Sequence, residues 1–485
     1  MNIYQKRNIF RRRDESSVYR MFLWVVLILG GIWLIRSVQL GDVKPLFLPT
    51  ATPTRFAQSY ANEGEALFIA GKLADSEDED GNLTSPGAIT ALREAAQVDP
   101  NNAKVWADLA RIQTYSTALL VNQAEILTRL DEAIVSAEKA VEINPDDSYA
   151  HAVHSFALNW KASYLADARE RQKLLTKSEE EAVRALQLDN TSALALAFYA
   201  EVLVDQQKWT EAQQYIDQAL QLDSTLMDVH RVHAYVLESL GEYALAIEAY
   251  DRAIAITPNL TFLYLRAGAG YRRLAFESPN EEIQTQLYEK SLEYFAQTAR
   301  INEQLGVQDP IPYLSIARTY SQMGQFFIAI RNVQKTIEFQ PEKAEFYGEL
   351  GVLYHKNRNY ETGILALKCA VRGCTAEESC PARGDCGTND VAAEVEGLPL
   401  NAATIYYYDI YASELAALST PKNNKCPEAL AIADIIESSE YVEDPNIAAD
   451  VVIVRNICAG VNAGDTGVDT TATPEIMDVT PTATP

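Results

Sequence analysis

Two pairs of histidines are the clearest candidates for chemistry in this sequence. They are His151 with His154 and His230 with His233, and each pair is three residues apart. On a helix this spacing places both imidazoles on one face, where they could bind a transition metal. Both pairs also fall at core positions of a helical apolar pattern, which favours packed histidines that replace aromatic residues. A metal-dependent enzyme at these pairs is therefore the weakest of the functional alternatives.

Other residue patterns that carry catalysis are missing from the sequence. It contains no glycine-rich phosphate loop, no nucleophile elbow and no HExxH motif. We predict a protein that is not an enzyme, holds no metal and needs no cofactor. The formal net charge of -26 also argues against nucleic acid as a partner.

The N-terminal segment is first basic and then apolar. Its uncharged run from Met21 to Ile35 would span about 22 Å as a helix, against a hydrocarbon core of ~30 Å. We predict an uncleaved transmembrane signal-anchor at residues 21–36, because no small-residue cleavage site follows it. The positive-inside rule then makes the N-terminus cytoplasmic and the rest extracytoplasmic, in a single-pass protein of the cell membrane. A cleaved signal peptide is the alternative.

All the cysteines lie in the last quarter of the chain, in the region that this topology places outside the cytoplasm. Disulfides persist there, so we predict that the cysteines are paired. Cys426 precedes a predicted helix and Cys458 ends the next one. Because antiparallel neighbouring helices bring these two positions together, we predict a disulfide between them that caps the end of the helical region. Four others pair among themselves in one of three ways: Cys369, Cys374, Cys380 and Cys386. A zinc site is the alternative, but their spacings and the lack of a nearby histidine are not typical of zinc ligands.

A repeat of helical hairpins must position these residues. Small residues recur 34, 38 or 45 positions apart, at Ala95, Ala140, Ala185, Ala219, Ala253, Thr298, Thr336 and Ala370. Each lies in a helical apolar pattern that usually ends five residues later at proline or a polar residue. One helical hairpin per period is therefore predicted.

The late repeats show the pattern most clearly. In one of them Tyr347, Leu350, Gly351 and Tyr354 lie on the predicted first helix, and Ala370 lies on the second. This two-helix period of 34 residues resembles the tetratricopeptide repeat (TPR) family. The resemblance implies an all-α fold, an α-solenoid of about 8–9 hairpins, preceded here by the predicted transmembrane helix. Thr/Pro-rich segments on both sides are typical of membrane-anchored, exported bacterial proteins.

The sequence departs from the family pattern in two ways. His151 and His230 stand where an aromatic residue is usual, and Gly363 replaces the usual alanine of the second helix. Three periods are also 11 residues longer than 34, and the extra residues keep an apolar periodicity without glycine or proline. We predict that they lengthen the helices. The long helices of repeats two and three would form a ledge, which is either a candidate contact for a partner or extra helix that packs on its neighbour.

These patterns divide the chain into seven segments. The predicted segments are a basic N-terminus (1–20), the signal-anchor (21–36), a Pro/Thr linker (37–57), repeats 1–8 (58–376), a cysteine-containing insert (377–404), a degenerate repeat with a capping helix (405–462) and a disordered Thr/Pro tail (463–485).

The family resemblance also implies a groove, since the first helix of each TPR hairpin lines the concave side. The predicted groove residues are Lys104, Arg111, Tyr149, Phe156, Arg231, Tyr235, Phe262, Arg272 and Arg318. We expect them to hold a peptide or protein segment through aromatic contacts and arginine forks. The predicted function is a non-catalytic scaffold or assembly factor of the cell envelope. A solute- or glycan-recognition protein outside the cytoplasm is the alternative, and neither the partner nor the oligomeric state is predicted.

Overall fold

The computed structural model describes residues 17–39, 55–73, 75–77, 83–120, 122–384 and 391–463. The Thr/Pro tail after residue 463, most of the Pro/Thr linker and Cys386 lie outside the described residues. The chain divides into two compact units, Met1–Phe56 and Ala57–Pro485.

The first unit has one described helix, α1 (Val18–Gln39). Its uncharged run from Met21 to Ile35 is shorter than the roughly 20 apolar residues that a span requires. Among the residues that the structure describes, no helix combines the length and the apolarity needed to cross a membrane. The predicted transmembrane helix at residues 21–36, and the single-pass membrane localisation that rested on it, were therefore wrong.

The second unit is a stack of antiparallel helical hairpins. Hairpins 1 to 5 consist of α2 (Ala57–Ile69) with α3 (Ala88–Val98), α4 (Ala103–Ser116) with α5 (Gln123–Ile143), α6 (Ser148–Ser163) with α7 (Ala168–Leu188), α8 (Ala193–Asp205) with α9 (Trp209–Leu222), and α10 (Met227–Ser239) with α11 (Tyr243–Ile256). Hairpins 6 to 8 consist of α12 (Thr261–Glu277) with α13 (Glu281–Leu305), α14 (Ile311–Gln322) with α15 (Phe326–Phe339), and α16 (Ala344–Lys356) with α17 (Tyr360–Val371).

A short helix, α18 (Ala376–Ala382), follows hairpin 8 and precedes hairpin 9, which is α19 (Ile405–Ala417) with α20 (Cys426–Glu437). The last helix, α21 (Pro445–Asn462), packs on hairpin 9. Two short strands, β1 (Ser76–Glu77) and β2 (Leu83–Ser85), form an antiparallel ribbon inside hairpin 1. Apart from this ribbon the described fold is all-α, so the predicted α-solenoid is confirmed.

Small residues let the two helices of each hairpin approach closely. In hairpin 8, a Cβ added to Gly351 would lie 2.5 Å from Cγ of Leu367. The two helices then bury Tyr347, Leu350 and Leu367 completely, and each such side chain contributes about 1.5–3 kcal/mol. Gly351 thus stands at a position that sets the distance between the two helices.

The extra residues of the three long periods lengthen second helices. The helices α5, α7 and α13 have 21, 21 and 25 residues, whereas α9, α11 and α15 have 14 each. Asn122, Asp167 and Asn280 cap the three long helices by accepting hydrogen bonds from backbone N–H groups. The prediction that these insertions extend helices is confirmed.

The first six hairpins curl until their ends meet. Nδ2 of Asn259, in the turn before hairpin 6, donates to the carbonyl of Ala70 in hairpin 1 at 3.0 Å, across 189 positions of sequence. Next to it Gly71 has φ +74°, and a Cβ there would lie 2.4 Å from Cβ of Asn259, so only glycine fits this approach. Phe68 and Leu260 belong to one buried apolar cluster across the same junction. We call this junction the closure.

A buried carboxylate explains the unusual glycine of hairpin 8. Oε1 of Glu414, on α19, lies 2.9 Å from Nδ1 of His355. A Cβ added to Gly363 would lie 2.7 Å from Oε2 of the same carboxylate. Hairpin 9 therefore packs over hairpin 8 with a hydrogen-bonded carboxyl group where other repeats place an alanine.

Disulfides close the C-terminal end of the stack. One joins Cys426, at the start of α20, to Cys458 near the end of α21, which confirms the predicted pair. A second joins Cys369 to Cys374 at the end of α17. Both bridges fit an extracytoplasmic location, because disulfides persist in oxidising compartments.

The C-terminal cap is hairpin 9 together with α21. Replacing both Cys426 and Cys458 by serine is expected to lower the free energy of unfolding of this cap by about 3–4 kcal/mol. The reason is that the bridge restricts the unfolded chain between positions 32 residues apart. Urea unfolding without reductant, with hydrogen exchange of α21, measures the loss. The Cys369→Ser/Cys374→Ser variant is the control and should lose only about 2 kcal/mol, because its loop is shorter. Equal losses in the two variants would contradict the prediction.

Candidate functional site

Five polar side chains meet on the inner side of the curled hairpins. Nε and Nη2 of Arg111, on α4, donate to the two oxygens of Asp228, on α10, at 3.0 and 2.5 Å. The hydroxyl of Tyr115 donates to the same carboxylate at 2.5 Å and accepts from Nε of Arg231 at 2.9 Å. Arg231 in turn donates to both oxygens of Glu201 at 2.7 and 2.6 Å. We call these five residues the inner network.

Aromatic rings fill the space around the inner network. The ring of Tyr115 lies 5.6 Å from Phe68 and 6.0 Å from Phe262, measured between centroids. The guanidinium of Arg231 lies 5.2 Å from the centroid of Phe156, and Phe156 stacks on Phe198 at 4.5 Å. These rings come from hairpins 1, 2, 3, 4 and 6. The inner side of the first six hairpins is therefore packed with the chain's own residues.

The charges of the inner network stabilise one another. Burial opposes ionisation of Asp228, but the charge and the hydrogen bonds of Arg111 outweigh burial and lower the pKa of the carboxyl group. Burial also opposes the charged form of Arg111, and the nearby Asp228 raises its pKa well above the ordinary value. Burial raises the pKa of Tyr115. The Arg111–Asp228 pair thus stays ionised. The contacts of the inner network hold helices together within the chain.

All nine predicted groove residues make contacts within the chain, and seven of them belong to hairpins 2 to 6. Arg111, Phe156 and Arg231 are buried. Lys104 and Tyr149 both bind Asp108, at 2.7 and 2.8 Å. The hydroxyl of Tyr235 donates to Asp205 at 2.6 Å, and Phe262 stacks on Tyr115.

The other two predicted residues, Arg272 and Arg318, lie on the first helices of hairpins 6 and 7. Arg318 donates from Nη2 to Oε1 of Glu349 at 2.5 Å, and its side chain is 51% exposed. Nη1 of Arg272 donates to the carbonyl of Ser315 at 3.2 Å. Tyr407, on α19, packs against hairpin 8, and its hydroxyl lies close enough to Glu349 and Arg318 for their charges to act on it. We call Arg272, Arg318, Glu349 and Tyr407 the open face.

The open face has two guanidinium groups near one carboxylate. Glu349 raises the pKa of Arg318, which it binds directly. Burial and then the neighbouring charge of Arg318 lower the pKa of Arg272 to about 10. The pKa of Arg272 is thus lowered mainly by burial, whereas Arg111 and Arg231 have raised pKa values.

The histidine pairs are packed into the fold. Nδ1 of His151 lies 2.6 Å from Oε2 of Glu181, and Nε2 lies 3.0 Å from the carbonyl of Pro145. The hydrogen bond to Glu181 raises the pKa of His151. Nε2 of His230 lies 2.8 Å from the carbonyl of Ser224. Within the described residues no group of three or more His, Cys, Asp or Glu side chains could hold a metal ion.

Sequence analysis missed Tyr115, Glu349 and Tyr407. Glu349 and Tyr407 lie at positions where the family pattern does not expect groove contacts, so no sequence signal marked them. Tyr115 precedes one of the long helical stretches, and its role depends on Asp228, three hairpins further along the stack. Only the curl of the stack brings these two residues together.

A family comparison identifies the repeat. Residues 200–261 match the model of a family described as tetratricopeptide repeat. These residues are therefore similar to tetratricopeptide repeats. The match spans hairpin 5 with parts of hairpins 4 and 6, and it supports the TPR resemblance that the late hairpins of the sequence also carry.

Several solved structures are similar to the stack of hairpins. TTC0263, a thermophilic TPR protein of Thermus thermophilus, is 19% identical and covers 44% of this chain and 98% of its own, with a TM-score of 0.34. YrrB, a TPR protein with an unusual peptide-binding site, is 23% identical over 42% of this chain and 93% of its own, with a TM-score of 0.29. The human IFIT1 dimer with PPP-AAAA is 13% identical over 78% of this chain and 79% of its own, with a TM-score of 0.48. No curated protein is significantly similar to the chain.

Proposed function

We propose that this chain is a non-catalytic scaffold that holds or assembles other proteins outside the cytoplasm, and that it binds a peptide or protein segment on the open face. The observation that carries the proposal is the difference between the two halves of the stack. The inner side of hairpins 1–6 is filled by the inner network and its aromatic rings. The open face of hairpins 6–9 instead presents a half-exposed Arg318, with the partly buried ring of Tyr407 near it.

Three further features support the proposal. TPR hairpins are protein- and peptide-binding scaffolds, and stacked hairpins offer an extended surface for such partners. An arginine and an aromatic side chain side by side are typical of the residues that carry binding energy at interfaces. The two disulfides fit a scaffold outside the cytoplasm.

A second candidate function is recognition of a small solute or a glycan. A polar cleft of about 460 Å³ lies beside α7, where this long helix extends past the shorter hairpin 4. Its lining residues are Gln172, Leu175, Glu179, Asp205, Gln206, Gln207 and Lys208. Amide and carboxylate groups around an apolar floor suit a ligand with several hydroxyl groups.

Site-specific photocrosslinking in cells tests the first candidate. A photoreactive phenylalanine analogue is placed at Glu345, an exposed position on α16 beside the open face, or at Phe327, which is 68% exposed on the second helix α15. We expect the same partner proteins to be captured repeatedly from position 345 and not from position 327. Equal capture from both positions, or none from position 345, would overturn the proposed site.

A further inference from the structure

Asp205 carries a negative charge that the described part of the chain pairs with neutral groups. Its Oδ1 accepts a hydrogen bond from the hydroxyl of Tyr235, and its Oδ2 accepts one from Nδ2 of Asn159, each at 2.6 Å. The charge of Arg231, on α10, acts on Asp205, but that guanidinium is bound to Glu201 through two nitrogens. Burial raises the pKa of Asp205 to about 6, so the carboxyl group is mostly ionised at neutral pH.

The local fold does not require an acid at this position. Asp205 ends α8, and the turn that follows has Gln207 in the left-handed region, with φ +62°. Three other hairpins have a left-handed residue at the same place in the turn, and their first helices end at Ser239, Gln322 and Lys356. Neither the turn nor an ion pair among the described residues explains the acid.

Asp205 lines the polar cleft beside α7. The cleft has a volume of about 460 Å³, and its charged lining residues are Glu179, Asp205 and Lys208. Nζ of Lys208 and Nε2 of Gln206 donate to the two oxygens of Glu179, at 3.1 and 2.9 Å. Of the two lining carboxylates, Glu179 therefore holds the ammonium group of the cleft and Asp205 holds none.

A second lining group has an unused acceptor. Oε1 of Gln206 is buried and accepts no hydrogen bond from the residues that the structure describes. Its amide cannot simply turn over, because Nε2 is held by the carboxylate of Glu179. A buried acceptor left without a donor is destabilising by about 1–3 kcal/mol. The cleft thus offers one anionic and one neutral acceptor.

We infer that this cleft binds a small molecule with a protonated primary amine, whose ammonium group pairs with Asp205 and whose other N–H or O–H groups donate to Gln206. The inference deepens the second candidate function and is independent of the open face. An ammonium group has three donors and no acceptor, which suits a carboxylate with lone pairs left. Two lining carboxylates repel an anion, and a neutral ligand would leave the charge of Asp205 without a partner. Amino sugars and polyamines share this chemistry.

Ligand-observed NMR titration of the full-length protein tests the inference. Dissociation constants are measured for glucosamine, glucose and spermidine at pH 7 and at pH 5. Glucose is the neutral counterpart of glucosamine, because a hydroxyl replaces the amine. The variants are Asp205→Asn, which keeps the size of the side chain, and the control Asp217→Asn, which changes an exposed aspartate of the same hairpin. Circular dichroism confirms that each variant is folded.

We expect an amine to bind the wild type at pH 7 about tenfold or more tightly than glucose, because a charge pair forms. Its affinity should fall about tenfold at pH 5, since a carboxyl group with a pKa of about 6 is then largely protonated. Asp205→Asn should bind the amine about tenfold more weakly at pH 7 and lose the pH dependence. Asp217→Asn should behave like the wild type. Preference for glucosamine or for spermidine identifies the source of the amine.

The other outcomes separate the inference from the candidate function on which it rests. Glucose that binds as tightly as the amines, or Asp205→Asn with the affinity of the wild type, would overturn the inference and leave solute recognition standing. Absence of binding by all three probes would overturn both. The scaffold proposal is decided separately, by photocrosslinking at the open face.

Discussion

Replacing Asp228 by alanine is expected to lower the free energy of unfolding of the first six hairpins by about 3–5 kcal/mol. The carboxylate accepts two hydrogen bonds from Arg111 and one from Tyr115. Its removal leaves the buried guanidinium of Arg111 with one weaker countercharge, the half-exposed carboxylate of Glu65 at 3.7 Å. Because Asp228 belongs to hairpin 5 and Arg111 to hairpin 2, the loss should reach helices that are distant in sequence.

Hydrogen exchange read by mass spectrometry measures this effect helix by helix, and urea unfolding measures its total. Protection should fall in α4 as well as in α10. Asp228→Asn is expected to lose less, because the amide still fills the space and can accept hydrogen bonds. Asp217→Ala is the matched control on an exposed surface of α9 and should change stability by less than about 0.5 kcal/mol. A loss confined to α10 and α11 would show that the inner network does not couple the hairpins.

Stability of the C-terminal cap is expected to fall as the pH rises. Asp409, on α19, is buried, and burial together with the neighbouring Asp450 raises its pKa to about 8. The ordinary pKa of an aspartate side chain is about 3.9. A carboxyl group whose pKa is higher in the folded state stabilises that state fully below the unfolded pKa, and this contribution disappears as the pH rises through the folded pKa. The relevant window therefore runs from about pH 4 to about pH 8.

Between about pH 5 and about pH 9 the cap should lose on the order of 4 kcal/mol of its free energy of unfolding. Amide protection of α19 and α21, corrected for intrinsic exchange rates, provides the measurement. Asp409→Asn should remove most of this loss, because asparagine resembles the protonated acid and does not titrate. Asp146→Asn changes an exposed aspartate of another hairpin and is the control. The same pH dependence in wild type and Asp409→Asn would assign the titration to another group.

Periodicity predicted the repeat and its exceptions. The 34-residue spacing predicted the hairpins, and the three long periods predicted the extended helices that became α5, α7 and α13. The pairing of Cys426 with Cys458 followed from antiparallel neighbours at the end of the stack. These features depend on residues close in sequence or in adjacent hairpins, where the geometry of one helix on the next is nearly fixed.

The curl of the stack was beyond sequence reasoning. It depends on small rotations between successive hairpins that add up over six of them, and no local pattern records their sum. For that reason Arg111 and Arg231 were predicted to line a groove, whereas the structure pairs them with Asp228 and Glu201. The N-terminal apolar run was misjudged for a different reason, since it was predicted to span although its helical length of about 22 Å is shorter than a hydrocarbon core of ~30 Å.

The closure restricts how the number of hairpins can change through duplication or deletion. In an open repeat array a hairpin can be gained or lost with little effect, because each one contacts only its neighbours. Here the Ala70–Asn259 contact requires a fixed number of hairpins between its two sides. Gain or loss of one hairpin inside the first six would separate Asn259 from Ala70 and Arg111 from Asp228 together. Hairpins 7 to 9 lie beyond this constraint, so variation in repeat number among descendants of this gene should be confined to that end of the stack.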